Sequence, residues 1–319
     1  MTTSPRLVLL LAVALLLPLP VQGQQVEETA DGFVATVNRT FAVEPGGTLD
    51  LRARNGSITV TGGDRSEVVV EETIRFDGAS REDVTEYLDE NATSYETTDG
   101  TVRIRGPENG GGGWSWWGDS GDDVQYRYVV QVPRRFSATL RTSGGSLSIT
   151  NLEGEVRGQT AGGSITTERV AGPVDVQTAG GSLTLRDIDG RVEGKTAGGS
   201  VEATAVGGAL NVRTAGGSIR VADVGDDVTA ETAGGSIEAD SVRGSLDART
   251  SGGDIAVRRV TGAVTAETAG GDVVLRDLGG EVSAETSGGD IEGENLRGRV
   301  DTRTSAGDVQ LRGVAGPVT

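Results

Sequence analysis

Apolar side chains return at fixed positions of an 18-residue repeat from Thr142 to the end of the chain. Counted from the threonine that opens each repeat, positions 6, 11 and 15 are Val, Ile or Leu, and positions 8 and 17 are mostly apolar or small. The opening threonines are Thr142, Thr160, Thr178, Thr196, Thr214, Thr232, Thr250, Thr268, Thr286 and Thr304. A short, constant period predicts a solenoid in which each repeat forms one coil.

Each repeat divides into two similar halves, which predicts two short strands and two turns per coil. Apolar and polar residues alternate over short runs, as they do in strands. Glycine occupies position 4 and, except at Asp226, position 13. We expect these glycines to serve the turns by accepting positive φ, a conformation that aspartate also tolerates. A third short face of the coil stays open as an alternative.

Stacking of the coils would place identical positions above one another. The predicted fold class is therefore all-β: a single-stranded parallel β-solenoid, or β-helix, over residues 136–319. Ten coils at one inter-strand spacing each give a rod roughly 48 Å long. The threonine column predicts either a ladder of hydroxyl groups along one corner or simply a residue type that suits turns and strands.

Residues 24–135 do not follow the repeat, apart from a faint echo at residues 55–60. Alternating runs predict strands at Phe33–Val37, Thr48–Arg52, Val68–Phe76, Thr101–Arg105 and Gln125–Val132. A helix is predicted from Ser80 to Asn91, because Ser80 and Asp83 fit a capping box. We interpret residues 24–135 as a β-rich capping domain with one short helix, since solenoid ends require a cap.

The first 23 residues have the pattern of a signal peptide. Arg6 precedes the apolar run Leu7–Leu17, and we expect cleavage after Gly23. The predicted location is secreted, periplasmic or at the cell surface, without membrane insertion after cleavage; a retained anchor is the alternative. The net charge of −18 argues against a nucleic-acid partner.

The composition leaves few groups for catalysis. The chain contains neither His nor Cys, which excludes imidazole-based triads and metal sites as well as thiol nucleophiles. Carboxylate catalysis on a β-helix would interrupt the repeat locally, and the repeat is unbroken. We therefore expect a non-enzymatic protein without cofactors.

Position 5 changes from Ser in the first six repeats to Asp in the last four. The four aspartates are Asp254, Asp272, Asp290 and Asp308. Stacked carboxylates repel one another unless a cation or an arginine intervenes, and calcium prefers such oxygen ligands. The turns lack the later Gly and Asp of the calcium β-roll. We favour solvated carboxylates that accept local backbone N–H groups, with weak calcium sites as the alternative.

Residues 107–123 form a glycine-rich loop that contains all three tryptophans, Trp114, Trp116 and Trp117. An exposed aromatic platform there would bind sugar rings or a partner; the favoured alternative is that the loop folds back over an open sheet edge. At the other end, Thr319 falls at position 16 of its repeat. Either the last coil has an open edge, which favours end-to-end self-association, or the natural chain continues.

Several motifs of the chain resemble the bacterial "putative adhesin" family, a β-strand-repeat domain of unknown function. They are Phe41-Ala42-Val43, Gly46-Gly47-Thr48-Leu49, Asn55-Gly56-Ser57-Ile58-Thr59-Val60, Tyr128-Val129-Val130-Gln131-Val132-Pro133 and Thr142-Ser143-Gly144-Gly145-Ser146-Leu147, with the repeats beyond. The resemblance implies an exported, envelope-associated β-solenoid, and it supplies no catalytic or binding residues. The long uniform repeat array and the tryptophan loop depart from the family pattern.

We therefore predict an exported structural, adhesive or scaffolding protein of the cell envelope. Its partner would be a cell-surface or envelope protein or a polysaccharide. One alternative is a glycan-binding module that uses Trp114, Trp116 and Trp117. A second is a regulatory component of an envelope-stress response, and a third, less favoured, is a carbohydrate-active β-helix enzyme.

Overall fold

The computed structural model describes residues 23–107 and 124–319. These residues form two sheets, of 15 and 13 strands, and one short helix. The elements are β1 (Gly23–Thr29), β2 (Gly32–Ala42), β3 (Thr48–Arg52), β4 (Ser57–Gly63), β5 (Glu67–Asp77), α1 (Arg81–Glu90), β6 (Ser94–Thr98), β7 (Thr101–Arg105), β8 (Val124–Pro133), β9 (Ser137–Arg141), β10 (Leu147–Leu152), β11 (Val156–Gln159), β12 (Ile165–Val170), β13 (Val174–Gln177), β14 (Leu183–Ile188), β15 (Val192–Lys195), β16 (Val201–Val206), β17 (Leu210–Arg213), β18 (Ile219–Val224), β19 (Val228–Glu231), β20 (Ile237–Val242), β21 (Leu246–Arg249), β22 (Ile255–Val260), β23 (Val264–Glu267), β24 (Val273–Leu278), β25 (Val282–Thr286), β26 (Ile291–Leu296), β27 (Val300–Thr304) and β28 (Val309–Arg312).

Each of the first nine 18-residue repeats forms one coil with two strands, one in each sheet. The tenth adds β28 and a single bridge between Val318 and Val300. Ile237 pairs in parallel with Ile219 on one side and with Ile255 on the other, and all three are fully buried. The apolar residues at positions 6, 8, 11, 15 and 17 of the first nine repeats point inward and form one continuous core. In the last repeat Val309 and Val318 are exposed. The predicted solenoid is confirmed, because equal spacing in the sequence becomes direct stacking of apolar side chains.

The left-handed residue of each coil lies at position 10, which corrects our expectation for the turn glycines. In nine coils this residue is not glycine, and its φ lies between 52° and 61°. The nine are Asn151, Arg169, Asp187, Ala205, Asp223, Ser241, Arg259, Asp277 and Asn295. The left-handed bend changes the alternation, so that position 11 points inward after positions 6 and 8. Neither the glycines at positions 4 and 13 nor Asp226 has positive φ.

The glycines at positions 4 and 13 are required by close stacking instead. A Cβ atom at position 4 would lie 1.9–2.2 Å from the carbonyl oxygen of the glycine one coil before. At position 13 the nearest atom of the preceding coil would lie 2.1–2.9 Å away. Backbone therefore rests directly on backbone at both turns. A side chain at position 4, which is glycine in every repeat, would push the coils apart, whereas position 13 accommodates Asp226 in one repeat.

The N-terminal region is β-rich and continuous with the solenoid. The echo at residues 55–60 forms a coil of its own, in which β4 pairs with β10 and places Ile58 on Leu147. In the same coil β3 pairs with β9. Strands β8, β5, β2 and β1 extend one sheet beyond β4, and β7 and β6 extend the other beyond β3. The division at residue 135 into a capping domain and a solenoid stays a prediction.

The predicted helix is present, and it begins as its sequence indicates. Ser80 is the N-cap; its hydroxyl accepts from the Asp83 N–H, and the Asp83 carboxylate accepts from the Ser80 N–H. These contacts lower the pKa of Asp83. Val84 and Tyr87 are buried, and the Tyr87 ring meets Phe76 edge-on at 5.3 Å. The helix thereby covers the inner face of β5.

Candidate functional surfaces

The outward faces of the two sheets carry rows of polar side chains that repeat at one coil spacing. On the second sheet, Arg213 donates to Glu231 at 2.8 Å and Arg249 donates to Glu267 at 3.1 Å, each pair joining adjacent coils. Lys195 instead pairs with Glu193 on its own strand at 2.6 Å. Opposite-sign pairs between adjacent coils are thus present at position 18. They are exposed, and each contributes little stability by itself.

The threonine column lies at a corner and connects successive coils. Each threonine hydroxyl donates to the carbonyl oxygen of the position-4 glycine one coil before, at 2.7–3.0 Å. In repeats two to ten the hydroxyl oxygen also accepts from the N–H of the position-4 glycine in its own coil, as in Gly163 to Thr160. The column is therefore a ladder of bridging hydroxyl groups, and it stabilises the stack rather than binding a ligand.

The four aspartates at position 5 form a row of their own on the surface. Asp254, Asp272 and Asp290 each accept, through one carboxylate oxygen, the backbone N–H of the next aspartate at 2.8–2.9 Å. The serines of the earlier repeats accept the same N–H group, as Ser164 does from Ser182 at 3.1 Å. Among residues 23–107 and 124–319 no three His, Cys, Asp or Glu side chains converge as metal ligands. The row has the geometry of turn carboxylates, and the calcium hypothesis stays a prediction.

A shallow groove of about 450 Å³ follows the corner at positions 10–12 in the middle of the solenoid. Ala205, Gly207 and Gly225 form its floor, where other coils carry longer side chains. Asp189 lies towards one end and Arg243 towards the other. The groove suits contact with an extended chain rather than enclosure of a small molecule.

A buried carboxylate lies in the N-terminal region, at Glu72 on the inner face of β5. Its side chain is 1% exposed. It accepts hydrogen bonds from the hydroxyl groups of Thr93, at 2.5 Å, and Tyr95, and Tyr128 lies 3.4 Å from the Thr93 hydroxyl. Tyr126 donates to Tyr87 beside this cluster at 3.2 Å. Sequence reasoning missed the site, although a glutamate at an inward position of β5 signals it.

Burial and then the charge of Glu72 raise the pKa of Tyr95 and Tyr128 well above the usual tyrosine value. For Tyr126, burial and the hydrogen bond to Tyr87 raise the pKa in the same direction. These phenols therefore stay protonated, and Tyr95 stays a hydrogen-bond donor to the carboxylate. The cluster holds the segment after α1 against β5 and β8.

Two further predictions lie outside the described residues. The signal-peptide pattern up to residue 22 is one, and the tryptophan loop with Trp114, Trp116 and Trp117 is the other. Over residues 23–107 and 124–319, no helix has both the length and the apolar character needed to cross a bilayer.

The fold and its surfaces define a class: a single-chain parallel β-solenoid whose long polar faces repeat coil by coil. The family can be stated as well. The family model described as Toastrack DUF4097 matches residues 49–311, and the chain belongs to that family. The match spans both the N-terminal coil and the repeat array, in agreement with the resemblance noted in the sequence.

Several solved structures are similar to the chain at low identity. A "putative cell adhesion protein" from Clostridium sporogenes is 11% identical, with 86% of this chain and 99% of that chain covered and a TM-score of 0.27. A "putative adhesin" from Bacteroides fragilis is 13% identical, with 89% and 95% covered and a TM-score of 0.24. A "putative lipid binding protein" from Parabacteroides distasonis is 13% identical, with 89% and 95% covered and a TM-score of 0.29. No curated protein matches the chain.

Proposed function

We propose that this protein is exported to the cell envelope and acts there as a non-enzymatic, adhesin-like scaffold. The observation that carries the proposal is the stacking of ten 18-residue repeats in one register, which gives two long outward faces. A long face offers many weak contacts to a partner, and linked weak contacts give high overall avidity. The apolar N-terminal segment that precedes β1 supports export.

The chemistry of the described residues supports a role in contact rather than catalysis. The Glu72 carboxylate is buried, the threonine ladder connects the coils, and carboxylates of the position-5 row accept backbone N–H groups. The proposed partner is an envelope protein or polysaccharide that meets one of the long faces.

The test uses whole coils, because removal of an integral number of repeats preserves the stacking register. The full chain and a variant that lacks residues 196–231, two repeats, are expressed in the source cells and followed through cell fractionation. Both are expected in the envelope fraction, with the shorter chain washed off more readily because it offers fewer contacts. A third variant without residues 2–22 is expected to stay in the cytoplasm.

Two results would contradict the proposal. Recovery of the full chain in the cytoplasm would refute export. Equal retention of the full and shortened chains would refute contact through the repeated faces and would favour the regulatory alternative, in which the N-terminal region carries recognition. The glycan-binding alternative has a separate test, since replacement of Trp114, Trp116 and Trp117 by Ala would abolish glycan retention only under that alternative.

A further inference from the structure

Basic side chains gather in one row on the outward face of the second sheet, at its N-terminal end. The row crosses seven adjacent strands at the position that corresponds to position 18 of the repeat. In sheet order its members are Arg105, Arg52, Arg141, Gln159, Gln177, Lys195 and Arg213. We call this set the basic row. It carries five positive charges and no acid, in a chain whose net charge is −18. Lys195 and Arg213 form ion pairs with Glu193 and Glu231, so the available positive charge lies at the arginine end.

The register fixes these side chains side by side. The Cα of Arg52 pairs with Arg105 on one side and with Arg141 on the other. Neighbouring strands lie about 4.8 Å apart, so the row extends roughly 29 Å along the rod. On the next strand, β19, the residue at the same position is Glu231, the first acidic residue in this direction. Beneath the arginines, Leu49, Leu51 and Leu140 are fully buried, which gives the row a rigid base.

The arginine end of the row has more positive charge than its neighbours neutralise. Asp50 lies among the arginines, with its carboxylate 3.6 Å from Arg52 and 3.8 Å from Arg103 and in contact with Arg105. The Arg52 side chain remains 50% exposed. Arg141 is exposed and has no ion-pair partner among the described residues. Like charges directly opposite one another on a sheet are unfavourable, so an anion on this surface would relieve repulsion.

The residues on either side of the basic row favour a narrow anionic chain over a broad anionic surface. On one side the row is bordered at position 2 by the small residues Ser143, Ala161 and Ala179, and by Arg54 in the N-terminal coil. On the other side the adjacent row has both signs of charge, since it contains Arg103, Asp50, Arg157, Asp175 and Glu193. A broad anionic surface, such as a membrane, would meet these acids and the overall negative charge. A narrow chain laid along the rod axis would meet the basic row alone.

We propose that the basic row binds a linear acidic polysaccharide whose carboxylates engage the guanidinium groups. Arginine suits this role because its planar fork donates to carboxylates in a bidentate manner. The inference rests on the proposed envelope function and names the chemistry of its partner.

The experiment measures binding of the mature full chain to polygalacturonate, with dextran as a neutral chain and with phosphatidylglycerol–phosphatidylcholine vesicles as the lipid alternative. The test variant is R52Q/R141Q, because the same row already carries Gln159 and Gln177. The matched control is R297Q/R299Q, which removes two exposed arginines from the far end of the solenoid and changes the net charge equally. Thermal melting of both variants checks that they are folded.

The wild type is expected to bind polygalacturonate, less tightly as salt is raised, and to bind neither dextran nor vesicles. R52Q/R141Q is expected to lose about tenfold in affinity, and the control to lose little. Equal losses in the two variants would show an effect of net charge alone and overturn the proposal. Absence of polygalacturonate binding, or binding to vesicles instead, would also overturn it.

The result of the polygalacturonate experiment can be distinguished from the result of the cell-fractionation experiment. If polygalacturonate binding fails while the chain lacking residues 196–231 is still retained less well, only the polysaccharide inference is wrong. If binding succeeds in vitro while the full chain stays in the cytoplasm, the basic row is an acidic-chain site on a protein that is not exported.

Discussion

The hydroxyl of Thr214 donates to the carbonyl oxygen of Gly199 at 2.8 Å, across the boundary between two coils. The Thr214 hydroxyl oxygen in turn accepts the N–H of Gly217 at 3.3 Å. The bridge recurs throughout the array at the buried threonine corner, so each coil is tied to the previous one by a side chain as well as by its strands. A single residue type at position 1 therefore supports both the turn and the stack.

Thr214→Val keeps the side-chain shape and removes both hydrogen bonds. It leaves a buried carbonyl and a buried N–H without this partner, and we expect a loss of about 1–3 kcal/mol in the free energy of unfolding, measured with urea. The matched control is Thr229→Val on the outward face of β19, where the change should cost less than about 0.5 kcal/mol. Equal costs would show that the threonine is present only for its turn and strand propensity.

Adjacent glycines at one turn should respond very differently to alanine. A Cβ at Gly181 would lie 2.1 Å from the Gly163 oxygen, whereas a Cβ at Gly180 would have its nearest neighbour at 3.5 Å. Gly181→Ala should therefore destabilise the solenoid by about 3 kcal/mol or more, since backbone must move apart. Gly180→Ala should be neutral or stabilising by up to about 1 kcal/mol, because it restricts the unfolded chain. Thermal melts of the two variants provide the comparison, and similar melting temperatures would refute the close-stacking account.

The repeat geometry can be predicted well from the sequence, because the constant spacing of the apolar residues sets the register in which the strands pair. Ile219, Ile237 and Ile255 can stack in only one register that buries all of them. The left-handed residue is harder to see, because its column contains Ala205 and Arg259 as well as Asn and Asp. The basic row is hidden for another reason: the sheet order Arg105, Arg52, Arg141 differs from the chain order, and pairing of β3 with β7 joins segments about fifty residues apart.

Replacement of alanine by glycine should change the stability in opposite directions at a left-handed position and at an extended position. Ala205 has a φ of 56°, and a left-handed residue other than glycine costs about 1–2 kcal/mol. Ala205→Gly should therefore stabilise the protein by about 0.5–1 kcal/mol after the entropy of the unfolded chain is included. Ala222→Gly, on the ordinary extended part of β18, should destabilise it by about 0.5–1 kcal/mol. Destabilisation by both changes in urea unfolding would contradict the left-handed assignment.

The aspartate row provides a test of the calcium hypothesis. Because Asp254, Asp272 and Asp290 already accept backbone N–H groups, we expect millimolar calcium to shift the melting temperature of the wild type no more than magnesium does. The comparison variant replaces the four position-5 aspartates by Ser, the residue of the earlier repeats. A calcium-specific stabilisation that disappears in this variant would establish the metal site.

The tyrosines around Glu72 should make the protein sensitive to alkali. Their pKa values are raised in the folded state, so above about pH 10 the unfolded chain releases phenolic protons that the folded chain keeps. The unfolded state then binds fewer protons, and the free energy of unfolding falls as pH rises, by about 1.4 kcal/mol per pH unit for each such tyrosine. Tyr126→Phe removes one of these groups and should make the fall shallower by that amount in urea unfolding from about pH 9 to about pH 11.5. Asp301→Asn, far from the cluster, is the control. An unchanged slope in the Tyr126 variant would show that this phenol ionises equally readily in both states and would contradict its burial beside Tyr87.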